Sequence, residues 1–492
     1  MTVRFDAFIG GSYQSEAITA DCEETWNFYP EQLESPGATA RVALYPTPGV
    51  VALDTVSVGS GRGHFYQNDR EFAVIGAKFG EISSVGTWTE RGDVALDSNP
   101  ATICSNGDGG AQLFITSGGN GYCYDLTTDT LSQVVALNGK AVIGDHLDGY
   151  FLALDTATST LYLSALLDGT SWTTGLDYAQ RSIMPDRWLS MKVVGRYIWL
   201  FGGQTSEVWY NTGASFPFAP HPSGLLSYGI IAPFSIGVMG QEVIWLAASR
   251  TGYGQVVRAA GFTPEVVSNQ ALERQIQGYE GIEDSIGDLY ADRGHDFFML
   301  SFDKEAVTWC WDYKTRVWVK RGSWDAPSSA FTSWRPRYHA FAFGEHRMLD
   351  ANLGAIYRMS SDLTTDVDGD TIRRLRRGPA IVNENARVFY AFFELDLETG
   401  LGNAVAPGDN PQVMLRMSND GGKTWGTEQM RPAGKQGEYG TRVRWLRLGS
   451  GRRRVFEVTM TDPIPYRIVG AYLGIIQGAN PQQQQQQQGR GE

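Results

Sequence analysis

The sequence predicts an all-β protein in which a β-propeller of six to eight blades is followed by a β-sandwich-like platform domain. Three observations lead to this prediction. A hairpin unit recurs from about residue 71 to residue 358, and glycine and aromatic residues are abundant along the chain. In addition, the strand pattern and the charge balance both change near residue 370.

The recurring unit consists of a short polar or glycine-containing turn, an apolar strand, a second turn and a strand that carries an aromatic residue. One copy is formed by residues 196–201 and 207–210, and the copies begin about 38 to 54 residues apart. Four-stranded blades repeat about every 40–50 residues, and their radial arrangement leaves only short sheet edges. A large β-sandwich, or two stacked all-β domains, is the alternative that this pattern leaves open.

Composition agrees with a large, turn-rich β protein. The 492 residues exceed the roughly 250–300 that one core usually serves, so two or more domains are expected. The chain has 58 Gly, 14 Trp, 22 Tyr and 23 Phe, residues typical of tight turns and aromatic strands. No apolar run reaches the roughly 18–20 residues of a membrane helix, and the first residues lack a signal-peptide layout. We therefore expect no membrane insertion of its own.

Charge divides the chain near residue 370. Residues 1–369 carry 24 Lys and Arg against 42 Asp and Glu, whereas residues 370–492 carry 17 against 12. The net charges are therefore −18 and +5. The larger part repels polyanions, while the C-terminal part is suited to an acidic surface.

Taken in order, the chain divides into four segments. Residues 1–50 do not resemble a blade and are expected to pack as an arm on the platform domain or on a neighbouring subunit. Residues 51–365 form the predicted propeller, interrupted by a short helix that Ser268 or Asn269 caps. Residues 366–480 have longer strands with period-2 alternation, typical of a sandwich. Residues 481–492 are a glutamine-rich tail that cannot bury a core and is expected to be disordered.

One turn motif lies in the predicted sandwich. Residues 418–425 have the S-x-D-x-G-x-T-W form of an Asp-box hairpin, in which the aspartate caps the amides of its own turn. The motif occurs in sialidases and other propellers, but its role is structural. Its residues are Ser418, Asp420, Gly422, Thr424 and Trp425. It leaves a second function open, namely a carbohydrate-binding or sialidase-like propeller involved in host receptor recognition.

No catalytic, cofactor-binding or metal-binding constellation stands out. The segment 366–370 resembles the start of a calcium loop, but the twelfth position, where an EF-hand needs Glu, is Arg377. A linker turn is the expected structure there. The four cysteines and six histidines have no zinc-ligand spacing, and buried free thiols are expected. The sequence therefore predicts no enzyme, no cofactor and no metal.

Two basic clusters are the candidate partner contacts. They consist of Arg373, Arg374, Arg376 and Arg377, and of Arg452, Arg453 and Arg454. Arginine pairs with carboxylates in a bidentate manner, so an acidic protein partner is one interpretation. A solvated strand face and a nucleic-acid patch are the other two.

The C-terminal region then resembles a known family. The resemblance is carried by residues 372–379 (IRRLRRGP), 394–402 (ELDLETGLG), 418–425 (SNDGGKTW), 437–449 (GEYGTRVRWLRLG) and 456–463 (FEVTMTDP), with 8–13 and 25–30 at the N-terminus. These residues are similar to the packaged-DNA stabilisation proteins, also called tail hub or nozzle proteins, of short-tailed phages.

This resemblance implies a structural virion protein rather than an enzyme. It implies a homo-hexameric ring in the phage tail, below the portal and its adaptor ring, assembled in the host cytoplasm. Such a ring retains packaged double-stranded DNA and conducts it during ejection, bears the tail needle or plug, and helps to seat tailspikes. The glutamine-rich tail is not part of the family pattern.

Overall fold

The computed structural model of the chain describes residues 1–180, 184–250, 252–384 and 386–476. Apart from one α-helix and four short 3-10 turns, the regular structure in these residues is β-strand, so the predicted all-β class is confirmed. The predicted glutamine-rich tail lies outside the described residues. The chain forms two compact units: Val50–Tyr313 with Ala330–Ser360, and Met1–Gly49 with Lys314–Ser329 and Ser361–Glu492.

The first unit is the propeller. Its described residues form six separate antiparallel sheets of four or five strands and a further antiparallel group of three strands, within the predicted range of blades. The six sheets, in order, contain Gly61–Gln67, Arg70–Ile75, Lys78–Ile82 and Trp88–Asp93; Thr102–Ser105, Gln112–Ser117, Asn120–Asp125 and Thr130–Val134; Ile143–Leu147, Tyr150–Asp155, Thr160–Ala165, Asp168–Trp172 and Tyr178–Gln180; Trp188–Val194, Tyr197–Gly202, Ser206–Asn211 and Phe218–Leu226; Gly229–Ile230, Gly237–Met239, Glu242–Ala248, Tyr253–Ala260 and Thr263–Val266; and Pro336–Ala342, Glu345–Asp350, Ala355–Ser360 and Gly49–Thr55. The further group contains Ile286–Asp292, His295–Phe302 and Val307–Asp312, and a short strand spans Ala330–Ser333.

The ring of sheets is closed by a strand from the start of the propeller segment. Gly49–Thr55 is the last strand of the sheet whose other three strands come from residues 336–360. Backbone hydrogen bonds therefore join the two ends of the propeller sequence, which protects a sheet edge that would otherwise be open.

The apolar middle strands are explained by packing between sheets. In Gln112–Ser117, Leu113 and Ile115 belong to a cluster with side chains of the preceding sheet, whereas Phe114 packs in a cluster with Phe151 of the following one. Both faces of the strand are covered, so it is continuously apolar instead of alternating between apolar and polar residues. This is the origin of the recurring apolar run in the sequence.

The predicted helix is confirmed as Gln270–Gln277. The side chain of Asn269 accepts a hydrogen bond from the Leu272 amide at 2.9 Å, so Asn269 is the N-cap. The Ser268 hydroxyl instead donates to Glu273 at 2.8 Å. The buried face of the helix is formed by Ala271, Leu272 and Ile276.

The second unit is a two-sheet sandwich. One sheet contains Phe28–Gln32, Val42–Pro46, Ile468–Ile476, Val388–Leu397 and Val443–Leu446 in that order, with Thr2–Arg4 and Ser450–Gly451 beside them. The other contains Val317–Asp325, Cys22–Trp26, Arg374–Arg377, Arg453–Met460, Gln412–Ser418 and Gln429–Pro432, with Tyr13–Gln14 and Ile381–Val382 beside them. The core between the sheets includes Phe28, Phe393, Trp445, Phe456 and Tyr466.

The N-terminal arm is part of this sandwich. Thr2–Arg4 pairs with residues 472–474, and Cys22–Trp26 pairs with Arg374–Arg377. The arm therefore supplies strands to both sheets of its own chain, in agreement with an arm that packs on the platform domain.

The domain boundaries differ from the prediction in one segment. Lys314–Ser329, which the sequence pattern assigns to the propeller, groups with the sandwich unit, and the final propeller residue is Ser360 rather than 365. Within the sandwich, Lys320 of this segment pairs in parallel with Trp26. The segment has the local pattern of a blade strand, but its partner is almost 300 residues away in sequence. Sequence periodicity cannot show such a pairing.

Candidate functional site

The seven candidate arginines differ widely in exposure. Arg374, Arg376 and Arg454 are buried, Arg373 and Arg377 are partly buried, and Arg452 and Arg453 are exposed. The three buried side chains are enclosed by their own chain and present no charge at its surface. The strand positions explain this, because Arg374 and Arg376 lie on a central strand of a sheet and Arg454 is the second residue of the neighbouring strand.

Arg376 holds the N-terminal arm on the sandwich. Its guanidinium donates to the carbonyls of Phe8 at 2.6 Å and Gly11 at 2.7 Å, to the Thr25 hydroxyl at 3.0 Å, and to the carboxylate of Glu23. Burial lowers the pKa of Arg376, and the Glu23 carboxylate opposes that shift. One fixed, planar group of donors thus joins several turns of the arm, which a lysine ammonium could not do.

Arg454 is used in a similar way within the sandwich. Its guanidinium donates to Asn419 Oδ1 at 2.7 Å and to the Leu448 carbonyl at 3.0 Å, and it lies over the Tyr390 ring at 4.9 Å. Burial lowers its pKa, because a charge is costly in an apolar surrounding. Its contacts therefore tie the start of its strand to the neighbouring loops.

Arg377 and Arg416 form a charged cluster around Glu457. The buried Glu457 carboxylate contacts Arg377 at 2.7 Å and also pairs with Arg416. Both guanidinium groups lie over the Trp425 ring, at 4.8 and 4.9 Å. The Trp425 ring is thus held by two cations that also neutralise a buried carboxylate.

Arg374 and Arg373 have different surroundings. None of the three guanidinium nitrogens of Arg374 has a hydrogen-bond partner among the described residues, and burial lowers its pKa to about 10. Arg373 lies over the Trp324 ring at 4.1 Å and is 3.9 Å from Glu428. Of the candidate set, only Arg452 and Arg453 remain as exposed charges.

The Asp-box residues form a hydrogen-bonded turn. Asp420 accepts from the amides of Lys423 at 3.0 Å and Thr424 at 2.9 Å, and from the Thr424 hydroxyl at 2.6 Å. The Ser418 hydroxyl accepts from the Gly422 amide at 2.9 Å. A hydrogen bond from the Ser418 hydroxyl at 2.6 Å, together with the bonds from Thr424 and Lys423, holds the pKa of Asp420 well below its usual range. The carboxylate is thus occupied by its own turn and is not available for a substrate.

A second site, not predicted from the sequence, lies in the propeller unit. A cavity of about 240 Å³ is lined by the innermost strand or loop of each group of strands in the propeller. Its polar lining residues include His64, Thr102, Lys192, Asp288 and His339. These residues come from widely separated positions, so no local motif indicates the cavity.

Ion pairs and a buried carboxylate surround this cavity. His64 Nε2 is 2.8 Å from Glu71 Oε1, and Arg347 donates to the other oxygen of Glu71 at 2.6 Å. Asp288 accepts from the backbone amides of Leu289 at 2.9 Å and His339 at 3.0 Å, and burial raises its pKa to about 6. Asp288 therefore joins two adjacent inner strands.

The histidine beside Asp288 is held neutral. Burial is the main cause that lowers the pKa of His339 to about 3. Among the described residues, no group of three or more His, Cys, Asp or Glu side chains could hold a metal ion. The cavity thus contains fixed polar groups that serve the contacts between inner strands.

The structure also bears on three other expectations, which concern the cysteines, residues 366–370 and a membrane-spanning helix. All four cysteines are buried and free, and burial raises the pKa of Cys22 to about 11 and that of Cys123 to about 12. Residues 366–370 form a turn in which the Asp366 amide donates to the Asp370 carbonyl at 2.8 Å. Within the described ranges, no helix has the length and apolarity needed to cross a membrane.

The fold and these sites define an all-β protein of two units, in which buried arginines hold separate segments of the chain together. Comparison with known families shows the family to which it belongs. A model described as "Bacteriophage P22 Gp10, beta-propeller" matches residues 25–364, and one described as "Bacteriophage P22 Gp10, beta-sandwich" matches residues 373–475. The chain belongs to this family. It is a structural tail protein of a short-tailed phage virion, and the resemblance seen in its sequence is confirmed.

Solved structures with similar folds are distant. A streptogramin B lyase is 8% identical, with a TM-score of 0.42 over 64% of this chain and 98% of that one. The virginiamycin B lyase from Staphylococcus aureus is 9% identical, with a TM-score of 0.42 and the same coverage. The N-terminal domain of Nup159 is 9% identical, with a TM-score of 0.40 over 68% of this chain and 98% of that one. None of these likenesses carries functional information. No curated protein matches the chain.

Proposed function

We propose that the chain is a subunit of a hexameric tail nozzle that closes the portal–adaptor channel, retains the packaged DNA and conducts it during ejection. The observation that carries this proposal is the match of both family models, in order, over residues 25–364 and 373–475. Its partners are five further copies of itself, the adaptor ring, the tail needle or plug, and the tailspikes. Its role is structural and not enzymatic.

The charge of the propeller unit supports a role beside moving DNA. Its residues carry 18 Lys and Arg against 31 Asp and Glu, a net charge of −13. A polyanion is repelled by such a surface, so DNA can pass without the tight binding that would slow its ejection. Four buried, free thiols suit assembly in the reducing host cytoplasm.

Complementation of nozzle-deficient particles tests this function. Capsids filled in the absence of the protein are expected to lose their DNA to added nuclease, and the purified full chain is expected to restore nuclease-resistant DNA. The matched control is the same chain heated until it is unfolded. Retention that is unchanged by the protein would contradict the proposal. Binding of the protein to surface glycans of the host instead would favour the receptor-recognition alternative.

A further inference from the structure

The outer face of the sandwich exposes three large apolar side chains at one end. Phe389, Leu446 and Ile476 are 44%, 57% and 58% exposed. Phe389 lies directly opposite Ile476, and Leu446 lies directly opposite Phe392. Since monomeric proteins rarely expose contiguous apolar patches without a function, this end of the sandwich is suited to a contact.

An irregularity in the strand produces this patch. The register shifts between Tyr390 and Phe392, so the alternation of faces restarts there. Tyr390 and Phe393 are both buried, and Phe389 and Phe392 therefore both turn outward. A bulge that re-aims side chains is a recurrent feature of interaction sites.

Exposed arginines surround these side chains. Arg387, Arg447, Arg452 and Arg453 are exposed, and residues 450–451 pair with residues 388–389, which brings all four to the same end. The described residues 381–384, 386–392, 444–454 and 474–476 contain six arginines and a single carboxylate, Glu384. Asp420, whose backbone bridges to Arg453, uses its carboxylate within its own turn. The three apolar residues and the four exposed arginines together form the basic patch.

The propeller exposes two leucines that have carboxylates beside them instead of arginines. Leu166 and Leu167 form the tip of the hairpin between Thr160–Ala165 and Asp168–Trp172, and they are 57% and 41% exposed. Leu167 has a φ of 58°, a conformation that is sterically disfavoured for residues with a Cβ. Neither the exposure nor the strain is explained by the core of the unit.

Carboxylates lie beside these two leucines. Leu167 donates its amide to the Gly149 carbonyl at 2.8 Å, next to the exposed Asp148. A Cβ at Gly109 would lie 3.7 Å from Leu167 Cδ1, which places the loop of the exposed Asp108 beside it. Arg196 is the cation nearby, 3.8 Å from Asp148. The two leucines with Asp108, Asp148 and Asp168 form the leucine tip.

We propose that the leucine tip of one copy docks on the basic patch of the next copy. The two surfaces match in both respects, because apolar side chains at the centre of each are accompanied by charges of opposite sign. A contact between two different surfaces of one chain is heterologous, and such contacts generate a ring when the rotation closes. The inference rests on the proposed ring and names the contact that builds it.

A nucleic-acid partner fits the basic patch less well. Phosphates would satisfy the arginines, but contacts with phosphates give no use to three exposed apolar side chains. A protein partner buries both the apolar centre and the charges at the rim, as protein–protein interfaces do.

Charge reversal tests this contact in the full chain. The double variant Arg452→Glu and Arg453→Glu is expected to weaken association between copies at least about tenfold, measured by native mass spectrometry and sedimentation. Adding Asp108→Lys and Asp148→Lys to the same chain is expected to restore association. The matched control, Arg41→Glu with Lys435→Glu, reverses two exposed charges elsewhere on the sandwich unit and is expected to assemble as the wild type does.

The substitution Leu167→Gly distinguishes an effect on folding from an effect on assembly. Leu167→Gly relieves the left-handed strain, so the melting temperature is expected to stay the same or rise. Association between copies is nevertheless expected to fall, because an apolar contact is removed. A lower melting temperature with unchanged association would overturn the role given to this leucine.

The outcomes distinguish this inference from the proposed function. A wild-type chain that forms no ring, either alone or on a portal–adaptor complex, contradicts the ring itself. Wild-type rings together with normal assembly of the Arg452→Glu and Arg453→Glu variant overturn only the proposed contact. If that variant assembles normally but loses affinity for a DNA duplex, the patch is a nucleic-acid surface and the inference is wrong.

Discussion

The two units of this protein differ in how far apart in sequence their neighbouring strands lie. In the propeller, each sheet consists mainly of consecutive strands, and the closing strand Gly49–Thr55 is the exception. In the sandwich, Cys22–Trp26 lies between Val317–Asp325 and Arg374–Arg377, and both of these neighbours come from positions about 300 residues or more further along the chain. Local repetition therefore specifies the propeller, whereas long-range pairing specifies the sandwich.

Buried arginines show the same difference in sequence distance. In the propeller, Arg62 pairs with Asp97 and donates to backbone carbonyls, and all of its partners lie 14 to 55 positions away. In the sandwich, Arg376 pairs with Glu23 and donates to backbone carbonyls of the arm, and its partners lie 351 to 369 positions away. Arg376 therefore joins segments that are remote in sequence, whereas Arg62 joins neighbouring ones.

The largest expected effect comes from removing the arginine that holds the arm. Arg376→Ala leaves the Glu23 carboxylate and several buried carbonyls without their donor, and is expected to lower the free energy of unfolding by about 3–5 kcal/mol. Urea unfolding measures this loss, and limited proteolysis tests whether the N-terminal arm becomes accessible.

Two variants set the scale for that result. Arg376→Lys keeps the charge but not the fork of donors, so an intermediate loss is expected. Arg452→Ala, at an exposed position, is expected to change the free energy by less than about 0.5 kcal/mol. A loss below about 1 kcal/mol for Arg376→Ala would show that the arm is held by its strand pairing instead.

A smaller effect is expected at the Asp-box turn. Asp420→Ala removes the acceptor of two amides and two hydroxyls, and is expected to cost about 1–2 kcal/mol in urea unfolding. Asp409→Ala, at an exposed position in the same unit, is the matched control and should be neutral.

The pH dependence of the free energy of unfolding gives a second test of the hydrogen bonds to Asp420. Because the pKa of Asp420 is lowered in the folded state, its stabilisation is present above its ordinary value of 3.8 and is lost as the pH falls through the folded pKa. The stability difference between the wild type and Asp420→Asn should therefore shrink in acid. A difference that grows in acid would contradict the bonding described for the turn.

The propeller is expected to respond to pH in the opposite direction, by about 1 kcal/mol. Burial raises the pKa of Asp288 from 3.8 to about 6, so the folded state binds a proton more tightly than the unfolded chain. Between pH 7.5 and pH 5, this group should increase stability as the pH falls. The hydrogen bonds from the His339 and Leu289 amides, and the charge of Arg337, reduce this rise in pKa without reversing it.

Asp288→Asn isolates this effect from other titrating groups. Subtracting the urea unfolding free energies of the variant from those of the wild type at each pH should give a difference that changes by about 1 kcal/mol over that range. A constant difference would mean that Asp288 is solvated in the folded protein.

The sequence predicts most of the propeller because its information is local. The apolar middle strands, the helix cap at Asn269 and the Asp-box turn each depend on residues within a few positions. The assignment of Lys314–Ser329 and the burial of Arg374, Arg376 and Arg454 depend on remote partners. A run of arginines has the same appearance in the sequence whether it lies at the surface or in a central strand.

The propeller cavity and the proposed contact surfaces could not be predicted from the sequence for a related reason. His64, Asp288 and His339 meet only because the propeller closes, and Leu167 is unusual only because of its φ of 58°. Neither signal exists in the chain before it folds. The family resemblance, by contrast, depends on continuous strings of residues and could be read directly.

The most direct test of the nozzle assignment is the mass of the full chain bound to a purified portal–adaptor complex. Native mass spectrometry at low salt is the measurement, with the chain alone as the reference. The account predicts that six copies join each complex, whether or not the chain forms rings by itself. A chain that stays monomeric and does not join the complex would contradict it.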